Sequence, residues 1–570
     1  MDFEIRSLWD VVALVGIVLA VAPWFGRYLG RVYMDRPLAG DTILTPIESA
    51  IYRLLGTTPK HSMRAREYMI ALLGVNGGLF AFLFFFLLWQ ANLPGNPTGV
   101  PGMHWDLAFH SASSFTTNTN FTHFTNESQV SFASLTVAWP VALFVSPATG
   151  LAVAAAMVRG FVRRDGTLGN FYVDMVRSMT RILLPLTVVF ALIMVLLGVP
   201  QTFTAYVNAH PLTGGLQTIY LGPVASYQSA SLLGSNGGGY YSANMASPLA
   251  NPSAASNLFG TFVMMLIPFS TPFAFGTIVR RKGEAWPYAI TILIVFGIAL
   301  GLFIAYQAAA NPFVSGVTGL GPQTNGYAVG QEVRWSVSEG SLFQVASVYG
   351  NVGANNMAIG SISPVAQLVL LFGMFTQATP GGDGTGFGML LLFAVLAIFV
   401  GGLMVGRTPE YLGKKIGTTQ VRWAALALLI HPAAILIPTA AAFLGGYASL
   451  AGLSPGAGAH VFTSVLYEFT SESANNGSAL AAGQVNDTTF FFNIMGAVVM
   501  IVGRYIPIWV MLKVGEEFAR QDAHPPGPGT LRTTSVTYTL YLTLFLVIVT
   551  ALIFLPVMAL GPLGQIVGGA

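Results

Sequence analysis

The sequence predicts an all-α integral membrane protein of about ten spanning helices, most of them arranged as four fused repeats of helix, pore loop and helix. Three observations predict it. Ten stretches are apolar enough to span a bilayer. Basic residues fall almost entirely on alternate connections. A Gly/Asn-rich element recurs four times at nearly constant spacing.

The composition favours a bilayer over water. Of 570 residues 54% are hydrophobic and only 8% are charged, against about 25% charged in soluble domains. A net charge of +3 is too small for a nucleic-acid binder. Cysteine is absent, which removes thiolate nucleophiles, disulfides and cysteine metal sites. The first apolar run, Leu8 to Trp24, has no basic n-region (Asp2, Glu4 and Arg6 precede it) and no A-x-A site, so it reads as a retained span.

A span needs about 20 mostly apolar residues. The stretches 8–28, 68–91, 131–158, 182–199, 258–279, 285–308, 362–406 (long and interrupted), 423–446, 488–512 and 535–558 qualify. Basic residues occupy 27–66, 159–181, 280–282, 407–422 and 504–532. The connections 92–130, 200–257 and 447–487 hold none, and 309–361 holds only Arg334. Thus 23 of 25 basic residues share one side, with Arg6 and Arg334 on the other. That side is cytoplasmic by the positive-inside bias, which puts both termini outside.

The outer connections carry the repeated element. DLAFHSASSFTTNTN (106–120), GPVASYQSASLLGSNGGG (222–239), SEGSLFQVASVYGNVGANN (338–356) and HVFTSVLYEFTSESANNGS (460–478) each join a short apolar stretch to a Gly/Asn-rich loop. With Thr119, Gly237, Val352 and Asn476 as centres the spacings are 118, 115 and 124 residues, an internal repeat. The units are 67–165, 166–283, 284–418 (its second helix interrupted near 379–386) and 419–532. Residues 1–66 precede them with one span and a cytoplasmic connection, and 533–570 add a last span.

Irregular backbone at membrane depth survives only when buried in protein or lining a wet cavity. Four such loops can converge on one axis, where carbonyls replace the water shell of a dehydrated cation. Gly237, Gly238, Gly239, Gly350, Gly353 and Gly477 permit the backbone angles this needs. Asn118, Asn120, Asn236, Asn351, Asn475 and Asn476, with the hydroxyls of Thr117, Thr119, Ser235 and Ser478, supply neutral oxygens. A divalent ion calls for several carboxylates, and Glu127 and Glu472 alone stand near the loops in sequence. The set therefore suits a large monovalent cation. One SNGGG by itself is turn chemistry; four in register are not.

Other motifs carry less. GGDGTGFG (381–388) has glycine-loop spacing but no strand–helix unit around it, and reads as a helix break. GRTPEYLGKK (406–415) lacks phosphate-loop spacing. His104, His110 and His123 suggest metal, but read better as caps or vestibule residues. Arg504 is a cationic barrier at the inner end of span nine or a topology residue. A membrane-embedded enzyme would need converging acid, base or metal groups, which the sequence does not display.

At GRYLGRV (26–32), PIESAIYRLLG (46–56), SSFTTNTN (113–120), TLGNFYVD (167–174), GVPQTF (198–203), QTIYLGPVAS (217–226), GSNGGGYYSAN (234–244), GRTPEYLGKK (406–415) and SANNGSA (473–479) the chain closely resembles the KdpA family, nearly end to end. These are the potassium-binding subunits of the bacterial Kdp P-type ATPase. The resemblance implies four potassium-channel-like units and an outward-facing K⁺ filter. It implies a bacterial inner-membrane location and three partners: the pump subunit KdpB, the single-span periplasmic subunit KdpC and the small helical subunit KdpF. Such a chain is not itself an enzyme; ATP is used by the pump subunit, and no organic cofactor or metal other than potassium is expected. Carried over, the filter is Thr117, Asn118, Thr119 and Asn120; Ser235, Asn236, Gly237 and Gly238; Asn351, Val352 and Gly353; and Asn475, Asn476 and Gly477. Gly382, Asp383, Gly384, Arg407 and Arg504 form the inner gate. Four features depart from the family pattern. Ser235 stands for Thr, Phe121 and Thr122 for Trp-Gln, and Gln377 for an acidic residue, while the loop bearing Asp383 is one residue short. The chain has no DKTGT phosphorylation motif, so the energy source lies in another chain. A stand-alone channel of the same four-repeat class is the rival reading.

Overall fold

A computed structural model describes residues 2–34, 36–38, 40–212, 214–309, 330–450, 458–480, 489–525 and 530–568. Parts of the third and fourth outer connections (310–329, 451–457 and 481–488) lie outside the described residues.

Among the described residues, ten helices are long and apolar enough to cross a membrane: Ser7–Val32, Ala65–Asn92, Ser134–Gly160, Phe171–Leu196, Ala254–Ile278, Lys282–Ala308, Thr385–Met404, Thr418–Leu444, Phe490–Ala519 and Val536–Leu560. Their burial alternates. In spans three, five, seven and nine, 83%, 78%, 67% and 56% of the apolar window is buried, against 33%, 33%, 44% and 39% in spans two, four, six and eight. The second helix of each pair is therefore an inner helix, and the first presents its surface outward, where the solvent is lipid. The first and last spans, at 28% and 33%, also lie outside.

Between the members of each pair a short helix returns into the protein: Trp105–Thr116, Val224–Leu233, Val337–Tyr349 and Gly458–Ser473. These are the four re-entrant helices the apolar stretches predict, and nearly all their residues are buried.

Three elements differ from the sequence reading. Span four begins at Phe171, not near 182. Asn170 caps it by accepting from the N–H groups of Tyr172 and Val173, and its charged first turns are neutralised in place. Asp174 pairs with Arg159, and Arg181 with Glu48 and Asp41. The second difference is a helix after span one, Asp41–Leu54, that turns Glu48 inward to Arg181 and leaves Ile43, Ile47 and Leu54 exposed, the pattern of a helix lying in the membrane interface. The third is span seven, which divides into Pro364–Thr376 and Thr385–Met404, so the break is 377–384. Thr385 to Gly388 belong to the restarted helix, because Gly386 allows the Gly381 backbone to close in; a Cβ there would stand 2.4 Å from it.

Between spans seven and eight GRTPEYLGKK folds as a small antiparallel hairpin, β1 Glu410–Tyr411 and β2 Lys414–Lys415. Lys414 is fully buried there. Its Nζ donates to the carbonyls of Gly160, Arg163 and Phe518 at 3.2, 2.5 and 2.7 Å, joining the inner ends of spans three and nine. Burial, with the nearby Arg164 charge, pushes this ammonium down to about 8.

Candidate ion-binding site

The four loops follow one backbone plan. Each begins at the C-terminal end of its re-entrant helix, and left-handed residues alternate: Asn118 and Asn120, Ser235 and Gly237, Asn351 and Gly353, Asn475 and Gly477. Such alternation turns successive N–H groups to one side. There a pore-helix serine carbonyl receives them. Thr119 and Asn120 donate to Ser114 O at 2.9 and 3.2 Å, and Asn236 and Gly237 to Ser231 O at 2.9 and 3.3 Å. Val352 and Gly353 donate to Ser347 O at 2.7 and 3.4 Å, and Asn476 to Ser471 O at 2.8 Å. The peptide oxygens are left facing the other way. Among the described residues, nothing donates a hydrogen bond to the carbonyls of Thr119, Asn236, Val352 or Asn476.

The same four serines fasten the far end of each loop. Ser114, Ser231 and Ser347 donate through Oγ to the carbonyls of Phe121, Gly238 and Ala354 at 2.8, 2.9 and 2.6 Å, and Ser471 Oγ accepts from Gly477 N at 3.0 Å. The sequence reading did not single them out. Their signal was nevertheless present, since each stands four residues before the first left-handed residue of its loop.

The structure corrects the register of the second loop by one residue. Asn236, not Gly237, is the counterpart of Thr119, Val352 and Asn476, and Gly238 corresponds to Phe121. The left-handed starts at 118, 235, 351 and 475 are 117, 116 and 124 residues apart.

The loops touch one another in a closed ring. A Cβ on Gly237 would stand 1.8 Å from Val352 O, one on Gly353 2.0 Å from Asn476 O, and one on Gly477 2.0 Å from Thr119 O. The remaining joint, between loops one and two, is made by side chains: Asn118 Nδ2 donates to the carbonyls of Gly234 and Ser235 at 3.1 and 2.9 Å, and Asn120 packs on Gly238. Asn475 Nδ2 donates to Thr119 Oγ1 at 2.9 Å, bracing the joint between loops four and one.

The ring separates two cavities. Outside it lies a vestibule of about 640 Å³ lined by Asn120, Thr122, His123, Asn355, Glu468 and Gly477, among others. Inside it lies a space of about 20 Å³, lined by Asn351, Gln377, Thr385, Asn475, Arg504 and Met511, among others, enough for about one water. The four re-entrant helices direct their C-terminal, negative ends toward the ring, which favours a cation.

The broken span closes the inner side. Gly381 N donates to Tyr349 O at 2.8 Å, and Gly382 lies under Asn351, a Cβ on it standing 3.4 Å from the Asn351 Cβ. Asp383 and Gly384 pack on Gly150 of span three. Arg504, buried, donates to Thr385 Oγ1 at 3.3 Å and Ser146 O at 3.2 Å. Gln377 donates to Ser473 O at 3.1 Å and pairs with His431. The fold thus brings Gly382, Asp383, Gly384 and Arg504 together. It does not bring Arg407 to them. That residue is exposed past the C-terminal end of Thr385–Met404, and a 20-residue helix is about 30 Å long.

The carboxylate inventory also widens. Glu127 sits at the vestibule rim, accepting from Ser242 N at 3.1 Å, and Glu472 is buried behind the loops. Asp106 and Glu468, within the first and fourth repeated segments, and Asp383, distant in sequence, join them in the folded chain. His110 is buried beside Glu472, and His123, paired with Glu468, stands in the vestibule wall.

Comparison with known proteins places this architecture. A family profile described as potassium-transporting ATPase A subunit, KdpA, matches residues 12–567. The chain is 38% identical over 560 residues to the potassium-transporting ATPase potassium-binding subunit of Nostoc sp., covering 98% of each chain. It is also 38% identical over 563 residues to that of Geobacillus kaustophilus, covering 99% of each. In fold it is similar to the potassium transporter TrkH from Vibrio parahaemolyticus, with a TM-score of 0.50 at 16% identity over 88% of this chain and 97% of that one. A profile match spanning nearly the whole chain, relatives of the same length and a multi-pass architecture agree: the chain belongs to the KdpA family of potassium-transporting ATPase A subunits.

Proposed function

We propose that the chain is the potassium-binding subunit of an ATP-driven uptake pump, selecting K⁺ in the ring of loops and passing it within the membrane to a P-type ATPase partner. The observation that carries this reading is the ring itself: four loops in mutual contact, their N–H groups committed to the pore helices and the carbonyls of Thr119, Asn236, Val352 and Asn476 left unpaired. Peptide oxygens without carboxylates in contact suit a monovalent ion whose hydration they replace. The vestibule supplies the ion from outside. Gly382, Asp383, Gly384 and Arg504 stop it from crossing directly to the cytoplasm, so it leaves sideways toward the partner.

On this reading the membrane is a bacterial inner membrane with both termini extracytoplasmic, and the units 67–165, 166–283, 284–418 and 419–532 surround the ring. The pump subunit KdpB hydrolyses ATP; KdpC and KdpF complete the complex. A channel acting alone is the competing reading. Full-length similarity to named ATPase subunits favours the pump.

Purification of the chain from its native membrane tests the choice. A co-purifying P-type ATPase whose hydrolysis rises with K⁺ is the expected result. Complete K⁺ transport by this chain alone in liposomes would overturn it.

A further inference from the structure

Behind the joint of loops one and four the fold buries two imidazoles and two carboxylates that ion selection does not use. His110 lies on the first pore helix and His123 just past the first loop. Glu468 and Glu472 lie one turn apart on the fourth pore helix. All four are buried, and no lysine or arginine among the described residues pairs with either carboxylate. The imidazole rings stack with centroids 3.8 Å apart. His110 Nε2 is 3.3 Å from Glu472 Oε1, and His123 Nε2 is 2.8 Å from Glu468 Oε1. One donor atom from each of His110, His123 and Glu472 falls within 4.8 Å of the others.

The hydrogen bonds place a proton on His123 Nδ1. Asn493 Nδ2 donates to Asp106 Oδ2 at 3.0 Å, which turns Asn493 Oδ1 toward His123 Nδ1 at 2.8 Å. An amide oxygen only accepts, so Nδ1 carries the proton. In the neutral ring, Nε2 then directs a lone pair at the Glu468 carboxylate, which also only accepts when ionised. At this distance a cation, a proton or a metal ion, lies between the two atoms. The second imidazole–carboxylate pair is no better satisfied: His110 Nδ1 and Glu472 Oε2 are buried without a hydrogen-bond partner. Span nine makes room for the carboxylate with Gly496, where a Cβ would stand 2.0 Å from Glu472 Oε1.

We propose that this cluster is a divalent transition-metal site, of the zinc class, with His110, His123 and Glu472 as ligands and Glu468, paired with His123, balancing charge beside them. Two neutral imidazoles and two carboxylates balance a divalent charge, and mixed nitrogen–oxygen sets suit borderline metals. Tetrahedral zinc with bonds of about 2.0–2.2 Å holds its donors about 3.3 Å apart, close to the 3.3 Å between His110 Nε2 and Glu472 Oε1. The Asp106–Asn493–His123 chain orients the ring as outer partners of metal-bound histidines do. His123 and Glu468 line the outer vestibule, so the ion enters from outside. Once bound, it clamps the first pore helix to the fourth where Gly477 meets Thr119. The site stands apart from the K⁺ ring and does not rest on the reading of that ring.

The test uses the full chain in detergent, its affinity tag removed, stripped with EDTA and titrated with Zn²⁺ and separately with Co²⁺. The expected result is about one Zn²⁺ per chain and a visible Co²⁺ spectrum of tetrahedral nitrogen–oxygen ligation. Glu472→Gln and His110→Gln should abolish both, while Asn493→Ala should weaken Zn²⁺ binding by about 10–100-fold. Failure of the folded wild-type chain to bind stoichiometric metal overturns the proposal, whatever the variants do. So does retention of the metal by a monodisperse Glu472→Gln chain.

Discussion

Gly237 approaches Val352 so closely that a Cβ on the glycine would stand 1.8 Å from the valine carbonyl oxygen, and its φ of +66° is one that L side chains rarely adopt. The contact joins loop two to loop three, and no side-chain movement can relieve it, because both partners are backbone. Gly237→Ala should therefore displace a ring carbonyl and weaken K⁺ affinity by about 100-fold, the scale of an ångström-sized misplacement. It should also erase the preference for K⁺ over Na⁺. Ion-stimulated ATP hydrolysis of the purified complex reads both. Unchanged selectivity in a folded Gly237→Ala complex would remove the ring from the selective step.

The pore-helix serines give a finer probe. Ser347 Oγ donates to Ala354 O at 2.6 Å, and its own carbonyl holds Val352 N. Ser347→Ala leaves the backbone bond and removes only the hydroxyl. A net loss of about 1 kcal/mol corresponds to about fivefold in K⁺ affinity, without loss of assembly. Titration of K⁺-stimulated hydrolysis should show this shift for Ser347→Ala and no shift for Ser535→Ala, whose hydroxyl caps the distant tenth span.

Much of this architecture was legible in the chain. The ten spans follow from hydropathy, because it reports directly on a bilayer solvent. The loops were legible because one chemistry occurs four times; the one-residue slip in loop two arose because SNGGG offers three adjacent glycines and no way to choose between them. Other features escaped the linear reading for a different reason. Arg181 ends a run, 171–181, that looks too charged to span, until Arg159 is seen to pair with Asp174 and Glu48 and Asp41 with Arg181. Arg407 and Arg504 look alike in sequence, and only the length of span seven separates them. His110 and Glu472 are 362 residues apart, and no local period links them.

Arg504 should act as an inner barrier. Its guanidinium is buried at the wall of the small inner cavity, and two unit charges about 8 Å apart at an effective dielectric of about 20 repel by about 2 kcal/mol. Arg504→Met should raise passive K⁺ leak through the complex by on the order of tenfold. A K⁺-sensitive dye in proteoliposomes without ATP measures it, and wild-type tightness in the variant would contradict the assignment.

Lys414 should hold the C-terminal ends of spans three and nine together. Lys414→Met strands three carbonyls now paired with its ammonium and should cost about 2–4 kcal/mol, visible as a lowered thermal midpoint. The pH dependence has a definite sign. Burial lowers this pKa from 10.5 to about 8, so between those values the unfolded chain holds the proton that the folded chain has released. Its contribution to stability therefore rises with pH across that window. The wild type should show this rise relative to Lys414→Met, and parallel pH profiles would exclude it.

The most direct measurement is a density map of the complex in a solution where Rb⁺ or Tl⁺ replaces K⁺, with the ions located by their scattering. Ions on the axis between the carbonyls of Thr119, Asn236, Val352 and Asn476 are the predicted result. A well-ordered ring with no ion on that axis, and ions bound elsewhere in the chain, would contradict it.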